Sequence, residues 1–121
     1  MGKFVIKQGK TGPYFVLKAA NGEPIGKSEI YSSEAAAKNG VESVKKNAAV
    51  AQIEDQTVEG WKNMTNPVFE LYKDNAGEFR FRLRAKNGEP ILSSEGYSAK
   101  ASAIGGIESV KKNADSELVI E

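Results

Sequence analysis

The residues best suited to acid–base chemistry occur as two equivalent pairs. Glu29 and Tyr31 form the first pair, and Glu95 and Tyr97 form the second. The chain has no histidine and no cysteine, so proton transfer would depend on carboxylates, lysines or tyrosines. A simpler interpretation is structural: the glutamate ends a strand in solvent and the tyrosine covers the start of a helix. No phosphate-binding glycine loop, nucleophile elbow or acidic metal motif accompanies the pairs, so we expect no enzymatic activity and no cofactor.

A second chemical candidate is a basic strand face. Apolar and basic residues alternate over residues 79–86, and period two is typical of a strand with one buried side. The residues on the other side, with an aromatic neighbour, are Arg80, Arg82, Arg84, Lys86 and Tyr72. Arginines beside an aromatic ring can hold phosphates and stack bases, which predicts a nucleic-acid site.

Ordinary ion pairing is the alternative for this face. Acidic residues that could lie opposite the arginines on neighbouring strands are Glu70, Glu117 and Glu121. The matching residues of the other half of the chain are Tyr14, Val16, Lys18 and Ala20. The basic row is therefore not part of a repeated design.

The composition gives no reason to expect binding to nucleic acid or membranes through overall charge. The chain of 121 residues carries 17 basic and 16 acidic residues, so it has no bulk charge that would attract nucleic acid or an anionic membrane. No segment is apolar enough for a signal peptide or a membrane span. The absence of cysteine is typical of a reducing compartment. We expect a cytoplasmic protein that does not bind membranes.

The most informative feature is a duplication. The heptapeptide ESVKKNA occupies residues 42–48 and returns at residues 108–114, an offset of 66 (108 minus 42). NGEPI at residues 21–25 and 87–91 has the same spacing. An open solenoid would need about three or more repeats. The chain therefore contains one module copied once, and the two copies are expected to share a core because either alone buries little apolar surface.

Each copy has the pattern β-β-β-α-β. Alternating apolar residues predict the strands, and NG predicts a hairpin turn in which both residues tolerate positive φ. Apolar residues at helical spacing predict helices over residues 33–46 and 99–112. Gly40 and Gly106 lie inside these helices, where glycine costs about 1 kcal/mol relative to alanine. We therefore expect the helix backbone to lie very close to the sheet.

The helix ends have recognisable signals. Ser32 or Ser33 and, in the second copy, Ser98 are predicted to cap the N-termini. Within the heptapeptide, Glu42 and Lys46 have the spacing of a helical ion pair. Asn47 and its counterpart Asn113 are predicted to end the helices in a left-handed conformation. These structural roles favour interpreting the repeated heptapeptide as a joint of the fold and not as a doubled chemical site.

The join between the copies contains the only tryptophan. Trp61 and Met64 are predicted to dock on the core or between the copies, and the alternative is that Trp61 anchors a partner. Tyr14 and Val16 are unusually apolar for an outward strand face. The favoured explanation is that the Trp61 segment covers them, and the alternative is that they form a contact patch.

These motifs resemble the YegP-like family of small bacterial proteins. The matching elements are the strand before NGEPI, the SE-x-Y step and the sequence G-[VI]-ESVKKNA that closes the helix. The resemblance covers nearly the whole chain. It implies β-α-β modules joined into one sheet with their final strands exchanged. It implies no activity, because the family consists of domains of unknown function.

We therefore predict an α+β fold in which two tandem β-β-β-α-β modules form a sheet layer and a helix layer with an internal pseudo-two-fold axis. The predicted parts are the first repeat (1–54), a connecting segment (55–67) and the second repeat (68–121), together forming one structural unit. A structural or protein-interaction module is the first functional hypothesis, and nucleic-acid binding is the alternative. The protein is expected to be a monomer. Possible binding residues are Arg80, Arg82, Arg84, Lys86, Tyr72 and Trp61.

Overall fold

Alternating apolar residues and two helix-forming segments organise the chain into the predicted order in both repeats. In the computed structural model, which describes residues 2–121, these residues form eight strands and two helices. The first repeat contains β1 (Lys3–Gln8), β2 (Pro13–Lys18), β3 (Pro24–Lys27), α1 (Glu34–Ala48) and β4 (Gln52–Asp55). The second contains β5 (Val68–Lys73), β6 (Phe79–Arg84), β7 (Pro90–Ser93), α2 (Lys100–Asn113) and β8 (Glu117–Ile120).

All eight strands belong to one sheet, in which the last strand of each repeat pairs with the other repeat. The order is β4-β5-β6-β7-β3-β2-β1-β8. β4 lies parallel to β5, and β8 lies parallel to β1, while the remaining neighbours are antiparallel. The strand exchange implied by the family resemblance is therefore present. Each edge of the sheet is completed by a strand from the opposite half of the chain.

The pseudo-two-fold axis passes through the contact between β3 and β7. These strands pair at Lys27 and Ser93, which are equivalent positions because they are 66 residues apart. A residue that pairs with its own counterpart must lie next to the axis. The predicted two-layer fold with internal two-fold symmetry is confirmed.

Close packing at the axis requires different side chains at one pair of equivalent positions. Gly26 and Leu92 are equivalent in sequence, and they immediately precede Lys27 and Ser93, the two residues that pair at the axis. A Cβ atom at position 26 would lie 2.8 Å from Cγ of Leu92. Two leucines would therefore compete for one volume, and glycine in the first repeat leaves that volume to the leucine of the second.

Both helices pack on one face of the sheet around a phenylalanine core. Phe4, Phe15, Phe69 and Phe81 are fully buried. The rings of Phe4 and Phe15 meet edge to face at 6.0 Å, as do those of Phe69 and Phe81 at 6.1 Å. Such aromatic pairs add about 0.5–1.5 kcal/mol beyond the area that they bury.

The mid-helix glycines allow the helices to approach these rings. A Cβ atom at Gly106 would lie 2.7 Å from both the ring of Phe81 and the hydroxyl of Tyr97, and Gly40 is similarly close to Phe15 and Tyr31. The expectation of a close helix–sheet approach is confirmed. The tyrosines lie against the middle of each helix, not over its start, because each ring stacks on the neighbouring phenylalanine.

The helix N-termini agree only partly with prediction. The Ser33 hydroxyl accepts a hydrogen bond from the Ala36 N–H at 3.1 Å, as expected for a cap. The second helix has Ala99 at this position and no side-chain cap, so the prediction for Ser98 is wrong. In the heptapeptide, Glu42 Oε2 lies 3.9 Å from Nζ of Lys45, at spacing i,i+3, and the predicted partner was Lys46, one residue later.

The asparagines in the repeated motifs act through their side chains. Among residues 2–121, only glycines have positive φ, so the prediction of left-handed conformations at Asn47 and Asn113 is wrong. Asn47 instead donates through Nδ2 to the Ser43 carbonyl at 2.8 Å and accepts through Oδ1 from the Lys86 N–H at 3.3 Å. The second contact joins the first repeat's helix to the second repeat's NGEPI turn. The first copy of the heptapeptide therefore joins the two repeats, whereas Asn113 in the second copy donates to Ser109 within α2.

Adjacent glycines in α2 provide a matched test of this packing. Gly105→Ala should raise the free energy of unfolding by about 0.5–1 kcal/mol, because a Cβ there meets no atom within 4 Å and the helix gains propensity. Gly106→Ala should lower it by about 1–3 kcal/mol through overpacking against Phe81 and Tyr97. Urea unfolding followed by circular dichroism measures both changes. Shifts of the same sign would contradict the packing described.

The axis predicts a coupled pair of substitutions. Gly26→Leu alone should destabilise the protein by about 1–3 kcal/mol, because it overpacks against Leu92. Adding Leu92→Gly should vacate the shared volume, so that the double variant is more stable than the sum of the single effects by at least about 1 kcal/mol. A double-mutant cycle from urea unfolding measures the coupling. Additive effects would show that the two positions do not share one space.

Candidate functional site

The basic row lies on the sheet face opposite the helices, but its arginines already have acidic partners. Arg82 and Arg84 each donate through Nε to Oε1 of Glu70, at 2.5 and 2.7 Å. Arg80 donates through Nε to Oδ2 of Asp74 at 2.6 Å. Each of the three guanidinium groups predicted to bind phosphate therefore already has an acidic partner within the chain.

The other two residues of the predicted nucleic-acid face are Tyr72, which already contacts a cation, and Lys86, which lies apart from the arginines. The guanidinium carbon of Arg82 lies 4.8 Å from the centre of the Tyr72 ring, so a cation already covers one face of that ring. Lys86 is exposed but lies beyond the end of β6, in the turn that bonds to Asn47. The structure brings Arg80, Arg82, Arg84 and Tyr72 together and leaves Lys86 outside the row.

Strand exchange creates a carboxylate cluster that sequence reasoning missed. Glu54 on β4 pairs in register with Glu70 on β5, and both side chains are buried. The Gln56 amide bridges them, donating to Glu54 Oε2 at 2.8 Å and Glu70 Oε2 at 3.1 Å. Burial raises the pKa of Glu70, but the hydrogen bonds from Arg82 and Arg84 outweigh it and leave that pKa below its usual value. No local pattern indicates that Glu54 and Glu70 meet, because the pairing depends on the exchange.

This cluster also holds the connecting segment. The Met64 N–H donates to Glu54 Oε1 at 2.7 Å, and the Gln56 N–H donates to the Leu71 carbonyl at 2.8 Å. The segment is thus attached through polar groups. Trp61 is 42% exposed and Met64 is 39% exposed, so the prediction that these side chains dock on the core is wrong.

The first repeat has a different outer face at equivalent positions. Val5 pairs with Val16 and with Val119, where the second repeat has Glu70 paired with Arg82 and Glu54. Three valines in the first repeat therefore occupy the positions that two glutamates and an arginine occupy in the second. The connecting segment lies against the second repeat's outer face, so the prediction that it covers Tyr14 and Val16 is wrong.

An open cleft of about 610 Å³ lies on this helix-free face and crosses the junction between the repeats. Tyr14, Val16, Pro24 and Ile25 supply its apolar lining. Its charged lining residues are Lys7, Lys18, Lys27, Arg80, Glu29 and Glu95. Its size lies within the range of about 300–1,000 Å³ that is typical of ligand sites.

The candidate acid–base pairs do not form a reactive centre. Tyr31 stacks on Phe15, with ring centres 6.0 Å apart, whereas Glu29 is exposed at the cleft. Burial and then Glu29 raise the pKa of Tyr31, and burial and then Glu95 raise that of Tyr97. A phenol with a raised pKa keeps its proton at neutral pH, which makes it a poor general base.

Residues 2–121 contain neither a metal-binding cluster nor a membrane-spanning helix. No group of three or more carboxylates in this part of the chain is arranged to hold a metal ion. Neither of its helices has the length and apolar composition needed to cross a membrane.

Comparisons with known proteins agree with the repeat structure. A family model described as a domain of unknown function, DUF1508, matches residues 10–55 and 74–121. The UPF0339 protein YegP of Yersinia pestis is 40% identical over 120 residues, which cover 98% of this chain and 94% of that protein. A UPF0339 protein from the ptx operon 5′ region of Stutzerimonas stutzeri is 61% identical over 53 residues, and the match spans about half of each protein, 44% of this chain and 48% of the relative.

A solved structure extends the similarity to the whole fold. The solution NMR structure of YegP from E. coli, described as a protein of unknown function, superposes with a TM-score of 0.80 at 31% sequence identity. The match covers 99% of this chain and 92% of that one. The chain therefore belongs to the DUF1508 family of YegP-like UPF0339 proteins and carries two copies of its domain.

Proposed function

We propose that this protein is a non-enzymatic protein-interaction module that binds an extended peptide segment in the cleft at the repeat junction. The observation that carries the proposal is the cleft itself, a concave surface of about 610 Å³ on the face that the helices leave open. Its apolar floor and charged rim match the usual composition of recognition sites. The absence of cysteine from the sequence supports a role in a reducing compartment such as the cytoplasm.

The chemistry of the lining supports recognition and not catalysis. Lys27 places Nζ 5.0 Å from the centre of the Tyr14 ring, a cation–π contact that forms one wall of the cleft. The Ser28 and Ser94 hydroxyls accept hydrogen bonds from the Phe15 and Phe81 N–H groups and donate to the carbonyls of Glu29 and Glu95. These hydroxyls thus hold the backbone at the cleft, and their protons are directed to main-chain carbonyls and not to a base.

An extended segment suits the shape and position of the cleft better than a compact ligand. The cleft runs across β2 and β3 to residues that follow β7 in the other repeat. A polypeptide in extended form presents alternate side chains to one side, so it could place apolar groups on Tyr14 and Val16 while its other side chains remain in solvent.

Nucleic acid is the less favoured ligand for the same face. Binding phosphates through Arg82 or Arg84 would require these groups to leave Glu70, a buried carboxylate that would then lose its partners. Leaving a buried carboxylate without its cationic partners is unfavourable. A base that stacked on Tyr14 or Tyr72 would be limited to one face of the ring, because a cation already lies over the other.

Panning a random peptide library against the full chain tests the proposed function. We expect selected peptides to bind wild-type protein and to lose about tenfold or more in affinity on Tyr14→Ala, since truncating an aromatic contact residue removes 1.4 kcal/mol or more. Lys73→Ala, at an exposed lysine outside the cleft, should leave affinity unchanged. Fluorescence anisotropy measures both, and circular dichroism checks that each variant folds.

Two results would overturn the proposal. One is a set of selected peptides whose affinity is the same for wild type and Tyr14→Ala. The other is binding of single-stranded DNA or RNA at micromolar protein with an affinity that falls on Arg82→Ala, which would assign the face to nucleic acid.

A further inference from the structure

We infer, building on the proposed peptide-binding function, that the cleft selects acidic segments in which an apolar side chain alternates with two carboxylates. Some charges of the cleft are already paired within the chain, and the spacing of the unpaired ones indicates the chemical class of the partner.

The charges that line the cleft are unequal. Lys7, Lys18, Lys27 and Arg80 supply four positive charges, and Glu29 and Glu95 supply two negative ones. Glu121 and Asp74, just outside the lining, offset the charges of Lys7 and Arg80, so the remaining positive charge is located at Lys18 and Lys27 on β2 and β3. Glu29 and Glu95 lie after the ends of β3 and β7. A local concentration of positive charge favours partners with complementary negative charge.

Carboxylates of the chain itself already reach the cleft from its margins. Glu121 lies 3.8 Å from Lys7 Nζ, and Asp74 lies 2.6 Å from Arg80 Nε. Two cations of the lining thus show the type of group that the cleft attracts. Within residues 2–121, no carboxylate lies within 4.0 Å of the ammonium groups of Lys18 or Lys27. These two lysines are left to pair with a ligand.

The spacing of the two lysines matches an extended chain. Lys27 pairs in register with Val16, and Lys18 lies two residues further along the same face of β2. In a regular antiparallel pair such diagonal neighbours are about 7–8 Å apart, close to the roughly 6.6 Å between alternate residues of an extended peptide. The register shifts between Leu17 and Lys18, where Lys18 pairs with Pro24, so the extra residue lies on β3 and β2 stays continuous from Val16 to Lys18. One carboxylate could meet Lys27 and the next alternate carboxylate could meet Lys18.

The apolar part of the ligand has its own position. Tyr14 lies two residues before Val16 on β2, on the side away from Lys18. A ligand that continues past Lys27 by one more alternate position would therefore place a side chain over Tyr14 and Val16. The resulting pattern is an apolar residue followed at alternate positions by two acidic residues, read in either chain direction.

Three matched peptides test this pattern. The probe is fluorescein-labelled Phe-Ser-Glu-Ser-Glu-Ser-Phe, whose symmetric arrangement fits either direction of binding, and its controls replace both glutamates by glutamine or by lysine. We expect the glutamate peptide to bind the full chain about five- to tenfold more tightly than the glutamine peptide, as for two exposed ion pairs. The lysine peptide should bind more weakly than both, and the preference should shrink at high salt.

Charge reversal identifies the residues responsible. Lys27→Glu should lower affinity for the glutamate peptide and raise affinity for the lysine peptide, which a merely unfolded variant could not do. Lys112→Glu makes the same charge change at an exposed position on α2, outside the cleft, and should leave the ranking of the peptides unchanged. Anisotropy titrations at neutral pH measure all nine combinations of three proteins and three peptides.

The outcomes separate this inference from the proposed function. If the glutamine and glutamate peptides bind equally and both weaken on Tyr14→Ala, the acidic preference is wrong and the peptide site stands. If none of the three binds and library-selected peptides also ignore Tyr14→Ala, both proposals fail. Displacement of the glutamate peptide by single-stranded DNA or RNA, lost on Lys27→Glu, would assign the two lysines to phosphate.

Discussion

Each repeat ends in a strand whose hydrogen-bond partners lie in the other repeat. β4 completes the sheet beside β5, and β8 completes it beside β1. Without these exchanges, the link between the two halves of the sheet would be the junction of β3 and β7, which pair at Lys27 and Ser93. The exchange therefore distributes backbone hydrogen bonds between the repeats to both edges of the sheet, and it makes each half's edge depend on the other half.

The helix layer strengthens the same dependence. α1 packs on β1 and β2 of its own repeat and also on β6 and β7 of the other, and α2 spans both halves in the same way. Asn47, in the repeated heptapeptide, bonds across to the second repeat at Lys86. Both layers thus cross the axis, so the two copies share one core, as expected for modules too small to bury enough apolar surface separately.

Symmetry of the scaffold coexists with asymmetry of the outer face. Glu54, Glu70 and Arg82 form an ionic cluster beneath the connecting segment in the second repeat. The equivalent strand positions in the first repeat are valines. Buried ionic clusters need every member satisfied, which ties the second face to its own connecting segment. The valines of the first repeat have no such requirement, and this part of the helix-free face borders the cleft. The helix-free face is therefore covered by the connecting segment in the second repeat and open in the first.

Local sequence determined the elements, the repeat and the face of each strand that enters the core. Alternation around Phe81 and small residues around Gly106 act within a few positions, so they could be interpreted without knowing the fold. The strand exchange was implied by family resemblance alone, because strand pairing between distant segments leaves no local pattern.

Tertiary structure decided which charges meet, and therefore where a site can be. Arg82 looked available for phosphate because Glu70 and Glu54 come from other strands, and only their register brings the three groups into contact. Trp61 looked like a core residue because it is large and apolar, but its segment is attached through polar groups and the side chain stays 42% exposed. The cleft joins residues of both repeats across the pseudo-two-fold axis. It depends on the pairing of β3 with β7 inside one sheet, which is a property of the assembled fold and not of any segment.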